Sequence, residues 1–285
     1  MYQEFYNLAK SPFRQPPDLE FYYPARQYER ASAYMNYAIL NAEGAVMLTG
    51  APGTGKTLLI KRLLSQLDDA FVIAHLFQTQ LDDVEILRSI LVEFGQKPFS
   101  AQKAELLDML NGFLIETHIN SQRPVIIIDD AHNLDVRALE ELRMLLGLET
   151  DKVKIPQIVL VGSPALKDKL KVPELGSLDA YAHLRKSLEP LDFDETADYI
   201  RFRLEVASVP RGELFLEDAI RLIHQASRGV PRKINALCDT ALMCGFADEK
   251  KQIDANLILS AISELGWAMP GGETASADSL AATIP

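Results

Sequence analysis

Residues 50–57 read Gly50-Ala51-Pro52-Gly53-Thr54-Gly55-Lys56-Thr57. The apolar run Ala45-Val46-Met47-Leu48-Thr49 precedes them, and Leu58-Leu59-Ile60-Lys61-Arg62-Leu63-Leu64 follows. The spacing G-x-x-x-x-G-K-T between a predicted strand and a predicted helix is that of a phosphate-binding loop. Glycine opens backbone conformations closed to other residues, so successive N–H groups turn inward around a phosphate. The mouth of the following helix adds partial positive charge. In this reading Lys56 reaches the β- and γ-phosphates of a nucleotide and Thr57 places its hydroxyl on Mg2+. Gly50, Ala51, Pro52, Gly53, Thr54, Gly55 and Leu58 complete the cradle. A chance match in a chain of ordinary composition is on the order of one per cent.

Such a loop needs an acid-bearing strand beside it. Pro124-Val125-Ile126-Ile127-Ile128-Asp129-Asp130 supplies one. Its unbroken apolar character predicts a strand buried on both faces of a parallel sheet. Asp129 at the strand's C-terminal end is the expected Mg2+ ligand, and Asp130 the acid that orients the attacking water. Further strands are predicted over 45–49, 71–77 and 157–162. They alternate with helices over 27–42, 56–67, 83–94, 101–120 and 135–148, so the fold class is α/β: a three-layer P-loop core with a parallel sheet. After Leu191 the pattern turns all-helical, with helices over 194–207, 216–227, 231–246 and 254–265. The expected organisation is an irregular, anchored arm rich in aromatics and proline (1–26), a nucleotide-binding core (27–190), an all-helical second domain (191–266) and a disordered tail (267–285).

The 285 residues carry a formal charge of −11, which disfavours general binding to nucleic acid. Lys152, Lys154, Lys167, Lys169 and Lys171 are a local exception. Cys238 and Cys244 lack metal spacing and are expected to be reduced thiols in one helix. No stretch predicts a signal peptide or a membrane span, so the expected location is cytoplasmic, reaching the inner membrane only through a partner.

The chain resembles the AAA+ ATPases of the general secretion pathway A (GspA/ExeA) type, and most closely the short ATPases of mannose-sensitive haemagglutinin pilus biogenesis. The likeness runs over roughly 1–265. It is carried by the opening MYQEFYNLAKSPFRQPPDLEFYYPARQYERA and by GTGKTLL, IIIDDAHNL, ALEELRMLLGLET, QIVLVGSPAL, LEPLDFDETADYIRFRL and SRGVPRKINALCDTAL. The resemblance implies a lid that closes over Mg-ATP, a homo-oligomeric ring such as a hexamer, and ATP hydrolysis that drives assembly or remodelling of an envelope secretion, pilus or polysaccharide-export system. It implies that Ser163 is the sensor at the end of the fourth core strand, where relatives more often have glutamine. It implies that Arg232 is the lid arginine of the γ-phosphate, and that the arm, with Phe13, lines the adenine pocket.

Two departures bear on activity. Asp130 stands where relatives have glutamate, shorter by about 1 Å, and misplacement on that scale costs roughly 100-fold in rate. Relatives carry a candidate arginine finger about ten residues before the Pro-Leu pair. That position here is Tyr181, with Arg185 the nearest arginine; a finger is worth roughly 10³–10⁵ in kcat. Two other functions stay open on these residues: an ATP-dependent DNA-transposition regulator, and a nucleotide-binding scaffold of low turnover.

Overall fold

A strand covered on both faces has no side to reserve for polar residues, so it is apolar throughout. Largely apolar runs supply four of the sheet's five strands. The computed structural model describes residues 2–98, 102–150, 153–208 and 214–268. Along the chain run α1 (Tyr2–Phe5), α2 (Arg26–Leu40), β1 (Ala45–Gly50), α3 (Lys56–Gln66), β2 (Phe71–Leu76), α4 (Asp83–Glu93), α5 (Lys103–Ile119) and β3 (Arg123–Ile128). Then follow α6 (Val136–Leu145), β4 (Gln157–Gly162), α7 (Ala165–Lys169), α8 (Gly176–Tyr181), β5 (Leu184–Leu188), α9 (Phe193–Val206), α10 (Glu217–Ser227), α11 (Pro231–Ala247) and α12 (Ala255–Glu264).

These elements form two units. One is 24–189; the other joins the first 23 residues to the chain from Pro190 onward. In the first unit the strands lie in the order β2-β3-β4-β1-β5, every neighbouring pair parallel. β1 and β4 are buried at every position. Met47, Ile128 and Leu160 turn to one face, where they join the core of α4, α5 and α6. On the other, α2 and α3 pack against β1 with Met35, Ile39, Leu59 and Leu63 buried. Leu160 is level with both Ile128 and Met47, and Gly162 with Thr49. The C-terminal tips of β1, β3 and β4 therefore share one edge, where ligands bind in open parallel sheets. Gln27 ties the start of α2 to the end of β5: its amide donates to the Glu189 carbonyl at 3.0 Å and accepts from the Glu189 N–H at 2.9 Å.

The second unit is a packed set of helices, α10, α11 and α12 in mutual contact and α9 against α10. The aromatic opening belongs to it. Arg203 of α9 is buried, donates to the Pro12 carbonyl and to the Tyr199 hydroxyl (2.8 Å), and lies over the Phe21 ring at 4.7 Å. Tyr199 in turn donates to Asn235 Oδ1 of α11 at 2.9 Å. Tyr2 donates to Asp239 Oδ1 at 2.6 Å, and burial together with that carboxylate pushes its phenol up to about 12. Phe13, expected at the adenine pocket, is wholly buried and packs edge-on against Phe215 at 5.8 Å, so its ring serves the core of this unit and offers no face to a base. Cys238 is buried in α11, which pushes its thiol well up; Cys244 lies further along the same helix, and both are free.

Two features differ from the expectation. The opening segment is not wholly irregular: it carries α1 and a 3-10 turn, Leu19–Phe21, capped by the Asp18 side chain. β5 was not foreseen as a strand. Residues 269–285, most of the expected tail, lie outside the described residues, whereas the Trp267 ring lies under the Lys233 ammonium at 5.9 Å.

Candidate functional site: the loop after β1 and the acid pair after β3

Gly53 and Gly55 have φ of +86° and +97°, the left-handed region that side chains disfavour. Gly50 is needed for a different reason: a Cβ there would lie 2.7 Å from Thr54 Oγ1 and 2.9 Å from the Leu188 carbonyl oxygen of β5. The loop is held from within and from behind. Thr54 Oγ1 donates to the Ala51 carbonyl at 2.8 Å, and the buried Tyr28 hydroxyl of α2 donates to the Thr54 carbonyl at 3.0 Å. Lys56 is buried, its Nζ donating to the carbonyls of Gly50 (2.9 Å) and Ala51 (3.1 Å). The first backbone bond of α3 is Leu59 N–H to the Gly55 carbonyl at 3.1 Å. The first turn of α3 thus turns its backbone donors and the positive end of its dipole toward the loop.

The acid pair meets this loop. Thr57 Oγ1 donates to Asp129 Oδ2 at 3.0 Å, although 72 positions separate them in sequence. Asp129 is 6% exposed, and its Oδ1 accepts the Asp130 N–H at 3.0 Å. Asp130 sits at φ +52° with its carboxylate exposed to solvent. The Thr79 hydroxyl, in the segment after β2, donates to the Asp130 carbonyl at 3.0 Å and accepts from Asn133 Nδ2 at 3.4 Å. Ser163 follows β4 on the same edge, and its N–H donates to His132 Nδ1 at 3.3 Å. Lys56, Thr57, Asp129, Asp130 and Ser163 thus gather at one end of one sheet.

The other expected residues have surroundings of their own. Arg185 is in β5, with its guanidinium paired to Asp179 at 2.8 Å and its Nε donating to the Ala182 carbonyl at 2.7 Å. Arg232 belongs to the helical unit, exposed in the first turn of α11, its carbonyl accepting from Gln15 Nε2 at 3.4 Å. Among the lysines, Lys154 pairs with Glu149 and lies over the Tyr181 ring, Lys171 pairs with Asp168, and Lys169 donates to the carbonyls of His132 and Leu134. Lys152 lies outside the described residues. Sequence reading missed Tyr28, Thr79, His132 and Asn133 as parts of this frame. His132 and Asn133 stand one residue beyond the acid pair, where proximity alone is a signal; Tyr28 and Thr79 carry none.

The donors present suit a hard divalent cation: one carboxylate and one hydroxyl, 3.0 Å apart, beside a phosphate cradle. Among the described residues no three His, Cys, Asp or Glu side chains form a metal site by themselves. Mg2+ is commonly held by one or two protein oxygens together with substrate phosphates. Among the described residues no helix is long and apolar enough to cross a membrane.

Comparison with known proteins agrees with this geometry. Residues 40–170 match the AAA domain family. General secretion pathway protein A of Aeromonas hydrophila is 36% identical over 249 residues, covering 87% of this chain and 45% of that protein. The chain thus spans less than half the length of that curated relative. Among solved structures, Cdc6p from Pyrobaculum aerophilum superposes with a TM-score of 0.67 at 21% identity, over 92% of this chain and 70% of that one. The Aeropyrum pernix ORC2 protein, in its ADPNP-ADP complexes, gives 0.63 at 17% identity, over 90% and 71%. At such identities the structural likeness speaks for the fold. With its phosphate loop, its acid-tipped third strand and its strand order, the chain is a P-loop protein with an AAA domain, similar over most of its length to general secretion pathway protein A.

Proposed function

We propose that this protein binds ATP with Mg2+ and hydrolyses it, and that the turnover drives assembly or remodelling of a cell-envelope secretion or pilus system. The observation that carries the chemical half is the 3.0 Å approach of Thr57 to Asp129 at the mouth of α3. The cellular half rests on the name of the curated relative, a general secretion pathway protein.

The chain's own groups divide the work. The loop N–H groups grip the phosphates, and Lys56 exchanges its carbonyl partners for β- and γ-phosphate oxygens. Thr57 and Asp129 hold the cation, which when bound neutralises charge developing on the phosphates. Asp130 orients water and accepts its proton. Ser163, and by its match to the lid arginine Arg232, respond to the γ-phosphate. Arg185 is a finger candidate only if it releases Asp179 to reach a neighbouring copy. Loss of the γ-phosphate then shifts the packing of an oligomer, which sizing with and without ATP detects.

The test is ATP turnover of Lys56→Ala against the unaltered protein. The expected result is a fall of at least about 100-fold, since a positioned charge on the transferring phosphoryl group is lost. Equal rates would remove Lys56, and the hydrolytic reading, from consideration.

A further inference from the structure

The turn after the acid pair holds a residue that this chemistry has not used. His132 is the middle residue of the 3-10 turn Ala131–Asn133, and three features fix it against the tip of β4. The Ser163 N–H donates to its Nδ1 at 3.3 Å. Lys169 Nζ of α7 donates to the carbonyls of His132 and Leu134, both at 2.6 Å. Gly162 leaves just the room required, since a Cβ there would come within 3.3 Å of both His132 N and His132 Nδ1.

A ring nitrogen that accepts from an N–H carries no proton, so the neutral ring bears its hydrogen on Nε2. The same Nδ1 lies 3.8 Å from Asp130 Oδ1. One nitrogen thus faces two claimants. With its lone pair it holds the Ser163 backbone and repels the adjacent carboxylate. In this arrangement the Asp130 carboxylate accepts no hydrogen bond from any described residue, and its lone pairs are free for water. Asp130 is short for its task, so its orientation matters more than that of a longer acid.

Resting on the hydrolytic reading above, we propose that His132 is a positioning residue: its Nδ1 acceptor locks the tip of β4 to the acid turn and keeps the Asp130 carboxylate turned toward the attacking water. The role belongs to Nδ1 and not to the bulk of the ring. Asparagine places its amide oxygen where Nδ1 stands, whereas glutamine carries its polar end out to the position of Nε2.

The experiment compares steady-state ATP turnover of the full chain with His132→Asn, His132→Gln, His132→Leu and Lys56→Ala, with thermal unfolding as the check on folding. Expected is a kcat within about threefold of the unaltered protein for His132→Asn, and a drop of about tenfold or more at unchanged KM for His132→Gln and His132→Leu, the pattern of an interaction made only in the transition state. Should His132→Leu fail to fold, the asparagine–glutamine pair decides. Equal kcat in those two variants, or a loss confined to KM, overturns the role of His132 while leaving hydrolysis in place. An unaltered protein no faster than Lys56→Ala overturns the hydrolytic reading, and this role with it.

Discussion

Asp130 occupies a backbone region, φ +52°, that aspartate and asparagine tolerate better than longer side chains. The position is thus suited to a short acid, at the expense of the reach a glutamate would have. The swap Asp130→Asn isolates chemistry from fold. Its amide accepts the same backbone geometry, so the melting temperature should stay where it is. Turnover should fall by about 10²–10⁴-fold, the usual worth of a positioned general base; a stable variant that still hydrolyses ATP at the native rate would take Asp130 out of the reaction. At this scale the sequence was most legible where a residue type has few other uses: three glycines, a lysine and a threonine in one loop, and two acids closing an apolar run. It was least legible where ordinary residues serve by contact. Tyr28 supports the loop through a hydroxyl bond to the Thr54 carbonyl, and nothing in its neighbourhood along the chain announces that.

Among elements, β1, β3 and β4 stand out because burial on both faces demands unbroken apolar runs. β5 is the contrary case. Its sequence, Leu184-Arg185-Lys186-Ser187-Leu188, pairs only with β1 at the sheet's edge, and its polar side chains find partners beside it: Arg185 on Asp179, and Lys186 over the Tyr34 ring at 5.6 Å. No periodicity marks such a strand, so the sequence alone places Arg185 in no element. The junction before α11 shows the opposite economy. Gly229 has φ +69°, and a Cβ on it would land 1.9 Å from the Leu191 carbonyl oxygen, while the Leu191 N–H donates to the Gly229 carbonyl at 2.9 Å. Two connections of the helical unit therefore touch backbone to backbone. Gly229→Ala is expected to destabilise the unit by about 3 kcal/mol or more, combining left-handed strain with an overlap that only backbone movement relieves. Denaturant unfolding measures this, and an unchanged midpoint would show that the contact yields easily.

Over the whole molecule, the helical unit is assembled from both ends of the described chain. Phe13 from the opening segment is as deeply buried as any residue of α11 or α12. Phe13→Ala should therefore cost about 3–5 kcal/mol, as for a core aromatic, and not the few tenths expected of a surface tail. Calorimetry tests this: a transition shifted by less than a degree would return the segment to the status of an appendage. The aromatic and proline content showed that the opening was anchored. It could not show to what, because the partner ring, Phe215, lies some two hundred positions onward and no local pattern links them.

The interleaved chain also has a history built into it. On the ribosome the aromatics of residues 2–23 emerge long before α9 to α12, and the α/β unit is complete before those helices exist, if domains form as they appear. By then the amide of Gln27 has brought Glu189 beside the start of α2. The waiting segment and the late helices thus leave from neighbouring points, and the entropy of closing so long a loop has already been met by the sheet. A nascent chain of this protein should accordingly be most exposed to aggregation and most dependent on chaperones in the interval between release of β5 and release of α12.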